Sequence, residues 1–168
     1  MQSATDPTDL RVDEDGFVAL VAPDAYSGFV DEDWELEDLL ARFVEQVNRE
    51  VLFIAYPGPD DANAALELSP QAPSATRRQA TGVVTVGEDG LWLTDYTQLT
   101  MAAQFADESA LSRYAQRLPV EPGRYRITLH EDATRESTFV LTATATGAPD
   151  TEIQTDVPWF DGSSQLRV

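Results

Sequence analysis

Apolar positions along this chain follow two periods, and the changes between them map its organisation. Phe17-Val-Ala-Leu-Val-Ala22 is an unbroken apolar run after Gly16, closed by Pro23 and Asp24. A short run between turn residues reads as a buried strand. Residues 26–30 read as a loop or a second short strand. From about 34 to 48, Leu36, Leu39, Leu40, Phe43, Val44 and Val47 recur at spacings of three and four. That spacing gathers them on one face of an amphipathic helix. Glu32, Asp33, Glu35 and Asp38 crowd its first turns, where the positive end of the helix dipole favours carboxylates. Asp31 or Asp33 is the expected N-cap.

Beyond the helix the period falls to two. Val51–Tyr56 reads as a strand buried on both faces, Pro57–Asp61 as a turn, and Ala62–Leu68 as the returning partner strand. Residues 69–75 form a loop and Arg77–Val86 a long strand. Gly87-Glu-Asp-Gly90 contains Asp-Gly, a strong hairpin signal, with Leu91–Thr94 as the return strand. Residues 97–105 leave helix and strand open, and 107–117 are expected to hold a short helix. Pro122-Gly123 feeds a strand that alternates Tyr125, Ile127 and Leu129 with Arg124, Arg126, Thr128 and His130. A final strand covers 138–146. About seven strands with turns roughly every ten residues predict a mainly β fold with one N-terminal amphipathic helix (α+β), an antiparallel β-sandwich or barrel-like structure. The organisation expected is a flexible acidic tail over 1–16, one β-rich domain over 17–146, and a loosely ordered tail over 147–168. Pro158-Trp159-Phe160 is that tail's anchor.

Charge changes the picture more than composition does. Of 168 residues, 30 are acidic, 11 are Arg and none is Lys, giving a net charge of −19. Residues 1–50 hold 14 carboxylates against three arginines, so the surplus is densest there. Such a surface repels nucleic acid and anionic membranes, both of which select clustered Lys and Arg. It suits a basic protein partner, a salty environment, or solubility alone. The apolar fraction of 42% supports a core, and this length can bury about two thirds of the unfolded surface. With no cysteine there are no disulfides and no thiolate chemistry. The first residues carry neither a basic start nor an apolar stretch, and no run approaches the ~20 residues that span a bilayer. A cytoplasmic location is the expectation.

Candidate chemistry is sparse. His130 is the single histidine. It neighbours Glu131 and Asp132, but no Gly-x-Ser-x-Gly marks a nucleophile, so a solvent-facing histidine at a strand end is the preferred reading. Asp95, between Leu-Trp-Leu-Thr and Tyr-Thr-Gln-Leu, is the carboxylate best placed for a burial-raised pKa. A cap or turn residue is the simpler role. Asp13-Glu-Asp-Gly16 fails as a calcium loop, because Arg11 and Ala22 occupy its first and last ligand positions. No metal, cofactor or catalytic residue is expected. Arg77, Arg78, Arg113, Arg117, Arg124 and Arg126 are expected to pair with the surplus carboxylates rather than form an anion site. Core packing is expected for Trp92, while Trp34 at the helix start is open.

Four segments, in order, carry a family resemblance: Asp33-Trp-Glu-Leu-Glu37, Val51-Leu-Phe-Ile-Ala-Tyr56, Thr85-Val-Gly-Glu-Asp-Gly-Leu-Trp-Leu93 and Leu118-Pro-Val-Glu-Pro-Gly-Arg-Tyr-Arg-Ile127. Over roughly residues 17–130 the chain resembles the competence protein J family, small β-rich proteins that inhibit a partner nuclease. The stretch 94–117 departs from that pattern. The resemblance implies a nuclease-inhibitor or toxin-immunity role and no catalysis. Charge points the same way, since an acidic inhibitor is steered toward a basic substrate groove. The expected contact residues are Asp31, Glu32, Asp33, Trp34, Glu35 and Asp38. The alternative is a non-catalytic cytoplasmic β-domain whose acidity is a halophilic solubility adaptation.

Overall fold

A computed structural model of the chain describes residues 10–147 and 154–160. Eight strands form two four-stranded sheets. The strands are β1 (Val18–Val21), β2 (Leu52–Ala55), β3 (Ala65–Leu68), β4 (Thr76–Val86), β5 (Trp92–Thr94), β6 (Gln116–Arg117), β7 (Gly123–Asp132) and β8 (Thr138–Ala145). One sheet runs β2-β1-β5-β6 and the other β3-β8-β7-β4. Two helices join them, α1 (Leu36–Asn48) and α2 (Tyr96–Gln104). The fold is an α+β sandwich, mainly β, and it is not a closed barrel.

The arrangement has three layers, which explains why β1 and β2 are apolar on both faces. Val18, Leu20, Phe53 and Leu93 meet Val84, Ile127, Leu129 and Phe139 of the second sheet in one core. Ala19, Val21, Leu52 and Ile54 face the other way, into a second core with Leu39 and Phe43 of α1 and Leu99 and Ala103 of α2. A strand with water on one face alternates, and one packed on both does not. Gly82 lies where the sheets approach closely: a Cβ there would sit 3.1 Å from the Phe53 ring.

Several expectations change. The strand around 62–68 does not return against β2. It is β3, and it pairs parallel with β8, Leu66 opposite Phe139. The Asp-Gly turn closes, Gly90 N–H donating to Gly87 O at 3.1 Å, but it does not make a hairpin. Val86 and Leu91, on either side, both enter the inter-sheet core, so the turn carries the chain from one sheet to the other. There β5 pairs antiparallel with β1. Residues 97–105, open between helix and strand, are mostly α2. Asp95 caps it, and Leu99, Ala102 and Ala103 form its buried face. No helix forms over 107–117. Ser109 and Ser112 accept the N–H of Leu111 and Tyr114 through their hydroxyls, at 3.0 and 3.1 Å. Such local bonds compete with a helical ladder.

The described parts of the two expected tails are packed. Leu10 and Val12 are fully buried. Val12 N–H donates to Ala64 O and Leu66 N–H to Leu10 O, so this stretch covers the outer edge of β3. Trp159 packs against the inter-sheet core and Phe160 against the second core, and Pro158 O accepts Tyr56 N–H at 3.0 Å. Residues 1–9, 148–153 and 161–168 lie outside the described residues.

Candidate functional site

The stretch before α1 stays non-helical for longer than expected, with a turn at Glu32 and Asp33. Val30 and Asp31 both donate their N–H to Ala103 O, at 2.8 and 3.1 Å, tying this stretch to the end of α2. The helix therefore begins at Leu36, and its N-cap is Glu35 rather than Asp31 or Asp33. Asp38 accepts the Glu35 N–H at 3.1 Å, reaching back across the first turn. Asp31, Glu32, Asp33, Glu35 and Asp38 are all exposed, as is Glu37. None of the six forms an ion pair with a described residue. Trp34 is half-buried and packs against the second core, so its indole does not stand free beside the carboxylates.

The arginines are engaged elsewhere. Arg78 holds Glu131 at 2.6 Å and Asp61 at 3.6 Å, and Arg77 adds a contact to Glu131 at 3.3 Å. Arg124 clasps both Glu50 oxygens at 2.9 Å. Arg135 bridges Glu67 at 2.7 Å and Asp132 at 2.9 Å. Hydrogen bonds from Arg124 and Arg135 hold Glu50 and Glu67 below the usual carboxylate range. Asp132 is held at about 2, chiefly by the Thr134 hydroxyl and backbone N–H and then by Arg135. Arg117 donates to Glu88 O, and Arg113 lies over the Tyr114 ring. Arg77, Arg78 and Arg124 thus pair with carboxylates as expected, whereas Arg113, Arg117 and Arg126 form no ion pair with a described residue.

The other sequence candidates resolve structurally. Asp95 caps α2, accepting Gln98 N–H at 2.7 Å. His130 is buried rather than solvent-facing. It lies on the sheet between Thr76 and Thr142, whose hydroxyls are 3.3 and 3.4 Å from its ring nitrogens, and burial lowers its pKa. Trp92 is half-buried against the second core and donates its indole N–H to Asp89 O at 2.7 Å. Among the described residues no group of three potential ligands is set to hold a metal ion, and no helix is long and apolar enough to cross a membrane.

Among the described residues burial shifts the pKa of two carboxylates upward, Asp61 and Asp13, and Asp13 is the one tied to backbone donors. Its Oδ1 accepts the N–H of Asp15 and Phe17, and its Oδ2 accepts that of Tyr96, all within 2.8–2.9 Å. Tyr96 is the first residue of α2, so Asp13 fastens the N-terminal turn to a helix start. Phe17 stacks on Tyr96 beside it, with centroids 4.4 Å apart. Burial raises Asp13 to about 6 against the pull of its three N–H donors, and the charge of Asp15 adds to the rise. Gly16 permits the turn, since its φ is +87° and a Cβ would strike the Gly58 carbonyl. Its hydrophilic sequence neighbourhood hides Asp13. The one local signal is the Asp-x-x-Gly spacing of a tight turn.

No family model matches this sequence, and no curated protein matches it. Two solved structures are similar. One is "Crocagin biosynthetic gene J", at 12% identity and a TM-score of 0.49, covering 78% of this chain and 91% of the other. The second is ComJ from Bacillus subtilis, described as an inhibitor of the DNA degrading activity of NucA. It is 13% identical with a TM-score of 0.43, covering 78% of this chain and 89% of its own. The weak resemblance to the competence protein J family read in the sequence thus recurs among solved structures.

Proposed function

We propose that this chain is a cytoplasmic acidic binding protein of the inhibitor or immunity type, whose partner is a basic protein such as a nuclease or a toxin. The observation that carries the reading is the segment 31–38. It presents Asp31, Glu32, Asp33, Glu35 and Asp38 to solvent, none of them in an ion pair with a described residue, while Arg77, Arg78, Arg124 and Arg135 neutralise carboxylates elsewhere. Unscreened carboxylates on one stretch attract a cationic groove, and steering of this kind raises association rates by ~10–1,000-fold at low salt. Trp34 lies within the same segment, half-buried with its ring against the second core.

The test is affinity capture from the source lysate at low ionic strength. The full chain is compared with a variant carrying D31N, E32Q, D33N, E35Q and D38N together. A basic protein held by the wild type, lost by the variant and released as salt shortens the Debye length supports the reading. Identical captures by the two chains overturn it. A second reading is favoured by the absence of lysine and by exposed carboxylates beyond this segment, at Glu88, Asp107, Glu121 and Glu136. There the acidity is a solvation device for a salty cell interior. A melting temperature that climbs steeply toward molar KCl, with no partner captured, would favour it.

A further inference from the structure

Four large apolar side chains are exposed among the described residues: Phe29 at 39%, Met101 at 37%, Phe105 at 38% and Tyr114 at 74%. Three of them lie on two segments that adjoin, the loop before α1 and the end of α2. The bonds from Val30 and Asp31 to Ala103 O lay the loop before α1 across the C-terminal end of α2. Met101 and Phe105 stand on that end four residues apart, the Phe105 N–H bonded to Met101 O at 2.9 Å. Phe29 shares with Ala102 and Ala106, their chain neighbours, the wall of a cavity of about 270 Å³. Single exposed apolar residues are ordinary, whereas several on adjoining segments beside a concavity mark a contact site.

The cavity is small. Its volume falls below the ~300–1,000 Å³ of small-molecule sites, and it admits one long side chain. Alanines at 102, 106 and 110 leave that space open. Tyr26 lines it as well, and the buried Tyr26 hydroxyl has no hydrogen-bond partner. Glu108 also lines it, with exposed Asp107 next in sequence and exposed Asp31, Glu32 and Asp33 continuing the loop. A mixed lining, with Ser27, Ser109 and Glu108 beside Phe29 and the alanines, matches a side chain with an aliphatic stem and a cationic head. A purely apolar group would strip water from Glu108 and return nothing, and an anionic group would be repelled.

We infer that this cavity receives a lysine or arginine side chain of the basic partner. The stem lies against Phe29, Ala102 and Ala106, and the head meets Glu108. The inference rests on the reading that the partner is basic, and it moves the anchor of the acidic face from Trp34 to the end of α2.

The test is an NMR titration of the full chain with the peptide acetyl-Gly-Ser-Arg-Ser-Gly-amide and with its citrulline counterpart, which keeps the stem and loses the charge. The arginine peptide should shift the amides of Phe29, Ala102 and Ala106 at low salt, with the citrulline peptide at least tenfold weaker. Ala106 is exposed, so Ala106→Leu fills the cavity without entering the core, and Glu108→Gln removes the carboxylate. Each should weaken the arginine peptide by tenfold or more. Should Ala106→Leu disturb the fold, Glu108→Gln decides. Equal binding of both peptides, or wild-type affinity in the variants, overturns the cavity assignment. If shifts then map to residues 31–38, the basic-partner reading survives without it. If the arginine peptide moves no residue in either place, both fail.

Discussion

Two regions of this molecule treat charge in opposite ways. On the β3-β8-β7-β4 sheet and the turn joining β7 to β8, Arg77, Arg78, Arg124 and Arg135 each hold a carboxylate within 3.3 Å. At the start of α1 on the far layer, a run of exposed carboxylates meets no described cation. Exposed ion pairs are worth little each, about 0–1 kcal/mol, so the paired sheet is not greatly more stable for them. What differs is the field left over. Pairing cancels potential on one layer and leaves it standing on the other, which gives a strongly acidic protein a direction. Net charge alone carries no such direction.

The sharpest way to break the comparison is to ask whether the two layers are one cooperative unit. Phe139 fills the inter-sheet core and Phe43 the helical one, both fully buried. Phe139→Ala and Phe43→Ala should each cost about 3–5 kcal/mol, because each removes a large side chain that its surroundings cannot replace. Urea unfolding followed by far-UV and tryptophan signals should show one coincident transition in both variants. A helical layer that melts first in Phe43→Ala would make the acidic face a separable unit, and the contrast would lose its common frame.

Smaller effects sharpen the contrast within the acidic segment. Asp38 takes the Glu35 N–H, whereas Asp33 accepts no hydrogen bond from a described residue. Asp38→Ala should therefore lower stability by about 1 kcal/mol as a lost cap. Asp33→Ala should stay within about 0.5 kcal/mol, or stabilise slightly at low salt by relieving repulsion. Equal losses would mean that these carboxylates serve the fold rather than a partner.

How much of this was legible in the sequence follows from the range of each interaction. The helix α1 and the strands β1, β2, β4, β7 and β8 are written in local periodicity, and each appears within a few residues of its expected place. Strand partners are not local. The Asp-Gly turn gives the bend but not the sheet its exit joins, which depends on an open edge of β1 far away in sequence. The partner of β3 was missed for the same reason, since β8 lies about 70 residues on. Within the candidate site, the acidic run was plain and the direction of Trp34 was not. The loop carrying Phe29 meets the end of α2 that carries Met101 and Phe105 because two N–H groups reach Ala103 O. Asp13 reads as one more residue of a polar tail, and its tie to the fold is the distant Tyr96 N–H at the start of α2.

On the paired sheet, acid should act through Asp132. Its pKa is lowered in the fold to about 2, from an ordinary value near 4. A depressed carboxylate contributes stability that is present above the unfolded value and lost as pH falls from about 4 through about 2. Arg135→Ala removes one cause of that depression and leaves the bonds from Thr134. It should raise the acid midpoint slightly and cost less than about 1 kcal/mol at neutral pH. An unchanged acid limb in Arg135→Ala would assign the depression to Thr134 alone.

Asp13, under α2, should titrate with the opposite sign. Its folded pKa is raised to about 6, so the protonated form favours the fold. That contribution is complete below the unfolded value near 4 and disappears as pH rises through about 6. Between pH 4 and 6, then, the N-terminal turn and the start of α2 should loosen as pH rises, while the paired sheet already has its full charge stabilisation. Two forces compete at this carboxylate. Desolvation disfavours its charge, and three backbone donors together with the positive end of α2 favour it. A carboxyl-carbon NMR titration of Asp13, read beside amide exchange at Phe17 and Tyr96, decides between them. An inflection near 6 with exchange quickening above it means burial wins. An inflection at or below 4 means the three N–H groups win, and both layers would then respond to acid in the same direction.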